Sequence, residues 1–145
     1  MATDRHAEVT WNGSLMEGSG RIDSTTSGVL ASQPLTWKAR AEDSPGATTS
    51  PEDLIAAAHA GCFAMALSHG LAQGGTPAEE LKTSATVTFQ PGEGITRIQL
   101  TARGRVPGLD EAGFRRAAED AKAGCPVSKA LAGVPEITLE TQFES

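Results

Sequence analysis

Apolar and polar residues take strict turns along much of the second half of the chain. Ala85, Val87 and Phe89 alternate with Ser84, Thr86 and Thr88, and Ile98, Leu100 and Ala102 alternate with Arg97, Gln99, Thr101 and Arg103. A period of two sends apolar side chains to one face of a strand and polar ones to the other, so strands are expected over 82–89 and 96–106. Pro91-Gly92-Glu93-Gly94 supplies the turn between them. Residues 136–143, from Glu136 to Phe143, alternate in the same way and predict a closing strand. The beginning of the chain alternates less cleanly. Ala7–Trp11 reads as a short strand, Asn12-Gly13 as a hairpin signal, and Leu15–Ile22 as a glycine-rich return. A third strand-like piece, Leu35–Arg40, leads into a loop over 41–49 that contains Pro45 and Gly46.

Between residues 50 and 70 the alternation gives way to an alanine-rich run. Ser50 stands as an N-cap, Pro51 at the first helical position and Asp53 three after the cap, which predicts a helix ending near Gly70. A second helix begins at the Asp110 cap, places Phe114, Ala117, Ala118 and Ala121 on one face, and stops at Gly124. Cys125 then takes the cap position of a short third helix that opens with Pro126 and ends near Gly133. The order is strands, helix, strands, two helices, strand. That order predicts an α+β fold with an antiparallel sheet, not a doubly wound α/β fold, in a single domain over 1–145.

A chain of 145 residues buries roughly 68–70% of its unfolded surface without disulfide support. Four Phe, two Trp and no Tyr leave the core few large anchors. Packing through small residues follows, and with it a core shared between subunits. The net charge of −6, from 18 acidic against 12 basic residues, argues against a nucleic-acid surface. The first residues carry Asp4 and Glu8 and no apolar h-region, and no apolar run approaches the ~20 residues a bilayer requires. A soluble cytoplasmic protein with no membrane partner is expected. The histidines and cysteines show no CxxC, HxH or HExxH spacing, so no zinc site is expected. Neither a phosphate-binding glycine loop nor a GxSxG elbow is present.

The two cysteines are the best clue to chemistry. Cys62 lies in Ala58-His59-Ala60-Gly61-Cys62-Phe63-Ala64 and Cys125 in Ala123-Gly124-Cys125-Pro126-Val127-Ser128. Local context leaves two readings open for each. Cys62 is either an inert buried thiol or a nucleophile served by His59, one helical turn away. Cys125 is either a plain cap or a thiol made acidic by the N–H groups of a helix start, and on local grounds it is the more acidic of the two. Glu52 and Asp53 in a first helical turn complement the helix dipole. Glu52 and Cys62, ten residues apart, are separated by about 15 Å along one helix, so a site using both needs a second copy of the chain.

The run Thr49-Ser50-Pro51-Glu52-Asp53-Leu54-Ile55-Ala56-Ala57-Ala58-His59-Ala60-Gly61-Cys62-Phe63-Ala64-Met65-Ala66-Leu67-Ser68 resembles the central helix of the osmotically inducible protein C (OsmC) family. Val9-Thr10-Trp11-Asn12-Gly13, Ser27-Gly28-Val29-Leu30 and Ala121–Ser128 extend the resemblance over nearly the whole chain, in order. The family shares a superfamily with the organic hydroperoxide resistance proteins. The resemblance implies an intertwined homodimer with antiparallel sheets wrapped around central helices. It also implies a cysteine-based peroxidase in oxidative and osmotic stress defence, reducing organic hydroperoxides and, less efficiently, hydrogen peroxide. By the same resemblance Cys62 is the peroxidatic residue and Cys125 the resolving one, while Arg40 holds the thiolate and Glu52 orients Arg40. No cofactor is implied beyond an external dithiol reductant of lipoyl or thioredoxin type. Phe63, Met65 and Leu67 are candidates for an apolar pocket, with core packing as their alternative role. The rival reading is a non-catalytic dimer of the same fold, redox-responsive or binding a small ligand.

Overall fold

The weakly alternating start of the chain forms a three-stranded antiparallel sheet of β1 (Ala7–Asn12), β2 (Ser19–Thr25) and β3 (Gln33–Leu35), in the order β1-β2-β3. The computed structural model describes residues 1–42 and 48–144, so the Pro45 and Gly46 of the expected loop lie outside the described residues. The chain divides into two compact units, Met1–Leu54 and Ile55–Ser145. In the first unit the Asn12-Gly13 signal does start a hairpin, but Asn12 stays in the ladder opposite Ser19 and residues 13–18 make the loop. Only Gly13 adopts the left-handed conformation there, at φ +93°, whereas the type I′ turn that Asn-Gly favours needs two such residues. Across the β1–β2 pair, the Trp11 indole occupies the space above Gly20, where a Cβ would come within 2.5 Å of Cε3.

The strand expected over Leu35–Arg40 is corrected by the structure. β3 ends at Leu35, and Trp37–Ala41 is a short helix, α1. Thr36, extended at φ −142°, caps it by accepting the Ala39 N–H at 3.1 Å. A capping threonine followed by Lys38, Ala39, Arg40 and Ala41 outweighs the strand preference of Leu-Thr-Trp. This unit leaves much apolar surface uncovered. Every residue of β1 is exposed, and Val29 and Met16 are 77% and 69% exposed.

The alanine-rich run forms α2 (Pro51–Gln73). His59, Phe63, Leu67 and Leu71, at every fourth position, are its buried stripe. The helix passes the expected stop at Gly70 and ends where Gly75, at φ +88°, turns left-handed. There the Gly75 N–H reaches the Ala72 carbonyl at 3.1 Å and the Thr76 N–H the Leu71 carbonyl at 3.0 Å, which satisfies the free carbonyls of the last turn. At 23 residues, with a mean hydropathy of 1.4 over its best window, α2 does reach the length and composition of a bilayer-crossing helix, against the expectation that no run would. The helix is apolar on nearly every side, so its alanines count toward such a window as fully as its buried stripe does.

The second unit carries the sheet foreseen from the alternation: β4 (Glu80–Gln90) and β5 (Gly94–Arg105) pair antiparallel, with β6 (Glu136–Glu144) beyond β5. The α+β class holds, with one departure from an all-antiparallel sheet. β6 runs parallel to β5, from Arg97 opposite Glu136 to Arg105 opposite Glu144. Two helices, α3 (Glu111–Gly124) and α4 (Pro126–Ala130), fill the connection, and a crossover of that length returns the chain to the end from which β5 began. The core joins Phe63, Leu67 and Leu71 of α2 to Ile98, Leu100 and Ala102 of β5 and to Phe114 and Ala118 of α3. Each such large side chain contributes about 1.5–3 kcal/mol by leaving water. Phe114 lies over Gly104, where a Cβ would meet its Cζ at 2.6 Å, and its ring centroid is 5.6 Å from that of Phe143 on β6. On β4 the Thr83 hydroxyl donates to the Ala60 carbonyl at 2.9 Å, tying α2 to the sheet beside the cysteine.

Candidate active site

Within the first unit, backbone contacts carry Arg40 to Glu52. The Thr49 N–H donates to the Pro34 carbonyl at 3.0 Å, Leu35 bridges to Thr49, and the Thr36 and Thr48 hydroxyls lie 3.4 Å apart. These contacts place α1 alongside the first turn of α2. Ser50, buried, caps that turn by accepting the Asp53 N–H at 3.1 Å, and Asp53 accepts from the Thr49 hydroxyl at 2.9 Å. Asp53 is thereby engaged in the cap, while Glu52 points the other way. Nε of Arg40 donates to both carboxylate oxygens of Glu52, at 3.0 and 3.1 Å. The Glu52 side chain is 9% exposed and that of Arg40 35%, so the carboxylate is enclosed and the guanidinium faces outward. Beside Arg40 lies a hollow of about 330 Å³ lined by Trp11, Leu15, Leu35, Trp37 and Pro51. An anchored cation at the edge of an apolar hollow suits a ligand with a polar end and a hydrocarbon body.

Within the second unit, α2 and the α3–α4 junction bring the two cysteines together. Both are free thiols, Cys125 fully buried and Cys62 partly so. Cys125 ends α3, with its N–H on the Ala121 carbonyl at 2.8 Å, and begins α4, with its carbonyl accepting the Lys129 N–H at 3.1 Å. The sulfur makes no side-chain cap hydrogen bond, and each of the two thiols influences the other's proton. Burial and the influence of Cys125 push the Cys62 thiol up. Burial works on Cys125 in the same sense, but the influence of Cys62, of the Ser128 N–H and hydroxyl and of the Val127 N–H outweighs it and brings this thiol below its ordinary value. The pair titrates as a unit, with the first proton leaving from the Cys125 side. His59, one turn before Cys62 on α2, is fully buried, and its Nε2 is 2.7 Å from Oγ of Ser128. Burial lowers its pKa, so the imidazole is neutral at neutral pH.

The structure therefore joins Cys62 to Cys125 and Arg40 to Glu52. His59 addresses Ser128 rather than the Cys62 sulfur one turn along its own helix. Phe63 and Leu67 are fully buried core residues and Met65 is 75% exposed, so the hollow beside Arg40 is built by the two tryptophans and Leu15 and Leu35 instead. Ser128 escaped the reading of the sequence. Its position three residues after the Cys125 cap, where a side chain folds back on the helix start, is the signal that marks it. Among the described residues no group of three or more His, Cys, Asp or Glu is gathered to hold a metal ion.

Known proteins share this arrangement of elements. A family model described as OsmC-like protein matches residues 43–140. The chain is 41% identical to peroxiredoxin OsmC of Escherichia coli over the full length of both. It is 33% identical to an organic hydroperoxide resistance protein of Xanthomonas axonopodis pv. citri, over 65% of this chain and 67% of that one. Among solved structures, the OsmC-like protein of Mycoplasma pneumoniae superposes with a TM-score of 0.70 at 15% identity, covering 99% of this chain and 100% of the other. The organic hydroperoxide resistance protein OhrB of Bacillus subtilis does so with a TM-score of 0.62 at 24% identity, covering 96% and 98%. Fold, sequence and motif order agree, and the chain belongs to the OsmC-like protein family.

Proposed function

We propose that the protein is a thiol-dependent peroxidase that reduces organic hydroperoxides, and hydrogen peroxide less efficiently, in oxidative and osmotic stress defence. The observation that carries this reading is the pair of neighbouring free thiols, Cys62 partly open and Cys125 buried. The names of the relatives, a peroxiredoxin and an organic hydroperoxide resistance protein, support it. The Cys62 thiolate attacks the terminal oxygen of ROOH. The O–O bond breaks, alkoxide leaves and takes up a proton as the alcohol, and Cys62 becomes a sulfenic acid. Cys125 then attacks the Cys62 sulfur; a disulfide forms and water leaves. An external dithiol of lipoyl or thioredoxin type returns both thiols by exchange, itself becoming a disulfide.

Arg40 supplies a permanent charge and a donor fork for thiolate and peroxide, and Glu52 fixes its direction. The apolar hollow beside Arg40 favours alkyl substituents over hydrogen peroxide. The ten-residue spacing of Glu52 and Cys62 and the uncovered apolar side chains of the first unit support a homodimer that completes the site. Stopped-flow oxidation of the reduced protein by cumene hydroperoxide and by hydrogen peroxide, followed by turnover with a dithiol, tests the proposal. Cys62→Ser is expected to abolish consumption, and Cys125→Ser to leave one stoichiometric oxidation without disulfide. Full consumption by Cys62→Ser with loss in Cys125→Ser sinks it, and oxidation without turnover in the unaltered protein points to the non-catalytic rival.

A further inference from the structure

Two positions in the second unit carry polar side chains where their neighbours on the same face are apolar. On α2, His59 opens the buried stripe that continues through Phe63, Leu67 and Leu71. On β4, Thr83 shares the half-buried face with Leu81, Ala85 and Val87. A polar group at such a position costs stability unless it is bonded, so its presence signals a need for direction rather than for burial. Each finds a partner on a different element. Nε2 of His59 lies 2.7 Å from Oγ of Ser128 on α4, and the Thr83 hydroxyl donates to the Ala60 carbonyl at 2.9 Å. α2 is thus gripped at two consecutive residues, once from α4 and once from β4.

Cys62 stands on the same stretch, two residues beyond Ala60 and three beyond His59. Cys125 heads α4, three residues before Ser128. Each end of the His59–Ser128 bond therefore lies within one helical turn of a cysteine, about 4.5 Å along the axis. Little else sets the rotation of α2 here. Apart from His59, residues 56–61 are all Ala or Gly, and a Cβ on Gly61 would meet nothing within 4 Å. Apolar contacts are non-directional and let an alanine-rich helix turn or slide, whereas hydrogen bonds hold one register.

We propose that the His59–Ser128 and Ala60–Thr83 bonds form a two-point clamp that sets the register of Cys62 against Cys125 for closure of a disulfide. His59, Ser128 and Thr83 are positioning residues that act through the backbones of α2 and α4, and none of them has to touch a sulfur. A disulfide needs its Cα atoms about 4.4–6.8 Å apart, while a slip of one residue carries a helix through about 1.5 Å and about 100° of rotation. Closure against glutathione has two steps. The Cys62 thiolate attacks oxidised glutathione, forming a mixed disulfide and releasing one glutathione thiolate. The Cys125 thiolate then attacks the Cys62 sulfur; the protein disulfide forms and the second glutathione leaves as its thiolate. The clamp bears on the second step. In turnover the same closure would follow oxidation of Cys62 by peroxide, and that use of the clamp rests on the peroxidase reading.

The test is the equilibrium between the dithiol and disulfide forms of the full chain in glutathione buffers, which requires no peroxide. Thr83→Val keeps the shape and removes one hydroxyl, and Ser128→Ala removes the other. Each is expected to lower the equilibrium constant for the protein disulfide about tenfold, with the rate of mixed-disulfide formation at Cys62 unchanged. Thr83→Ser and Ser128→Thr, which keep the hydroxyls, are expected to restore it. Val106→Ala, at a fully buried position just beyond β5, should lower the urea midpoint without moving the glutathione equilibrium. If Ser128→Ala does not fold, Thr83→Val decides alone. Equal constants in Thr83→Val and the parent overturn the clamp, as does a shift in Val106→Ala as large as that in Thr83→Val. A tenfold loss in a protein that does not turn over peroxide keeps the clamp and sinks the peroxidase reading.

Discussion

The guanidinium of Arg40 grips Glu52 through a single nitrogen, Nε, shared between both carboxylate oxygens. The carboxylate is enclosed and thus anchors the more open cation, not the reverse. Glu52→Gln keeps the shape and removes the charge. It is expected to cost about 1.5–3 kcal/mol in urea unfolding, the worth of a hydrogen bond to a charged group. Peroxide consumption should fall by about tenfold or more as Arg40 loses its direction. Arg40→Lys, which replaces the fork by a point charge, should lower consumption similarly with a smaller effect on stability. Equal rates in all three proteins would remove the pair from the mechanism.

The sulfur pair should titrate in two steps around the ordinary thiol value of 9.0, the first below and the second above it. Cys62→Ala removes an influence that lowers Cys125, so the remaining thiol is expected to titrate at higher pH than the first step of the pair. Cys125→Ala should instead let Cys62 titrate lower than the second step. Thiolate absorbance against pH reads both directions.

His59 links acid to stability. Burial holds its folded pKa below the ordinary 6.5, so the unfolded chain takes up the proton first. Stability is full above pH 6.5 and declines as pH falls through the window between that value and the folded pKa, at no more than about 1.4 kcal/mol per pH unit for one proton. Urea midpoints measured from pH 7.5 to 5 should fall in the parent and flatten in His59→Gln over this window. A parallel fall in the two proteins would assign the acid sensitivity elsewhere.

Phe114 and Gly104 form a lock in which the ring takes the place of a side chain. Gly104→Ala puts a methyl group into that ring and is expected to cost about 1–3 kcal/mol. Phe114→Ala should cost about 3–5 kcal/mol by opening a cavity. The double variant should be less destabilised than the sum, since the methyl group occupies space the ring vacates. A strictly additive pair of urea midpoints would show that the backbone, not the ring, absorbs the methyl group.

Strict alternation made β4, β5 and β6 legible from the residues, because a half-buried strand needs nothing else to declare itself. The Ser50 and Asp110 caps marked helix starts for the same local reason. The misplaced strand over Leu35–Arg40 shows the limit. Thr36 serves a strand or a cap equally well, and what selects the cap is its contact with Thr48, a dozen residues away. The direction of β6 was implicit in the two helices before it, since a chain that leaves the sheet and crosses back arrives at the starting end. In the site, local reasoning did find the more acidic thiol, Cys125, from its helix start. Ser128 stayed hidden because its partner lies 69 residues back along the chain, as does any contact formed only by folding.

The parallel pairing of β6 also sets a clock. The β4–β5 hairpin closes through residues 91–93, so its ladder zips from a tight turn, while the first β5–β6 contact, Arg97 with Glu136, must wait for α3 and α4 to form and swing across. Loop closure is dearer for the second event, and non-local strand pairing is the slow step of small domains. Refolding watched by pulsed hydrogen exchange should protect the amides between β4 and β5 before those between β5 and β6. Until the later edge closes, β5 offers an open row of backbone donors and acceptors, and that interval is when one copy of the chain is most exposed to pairing with another.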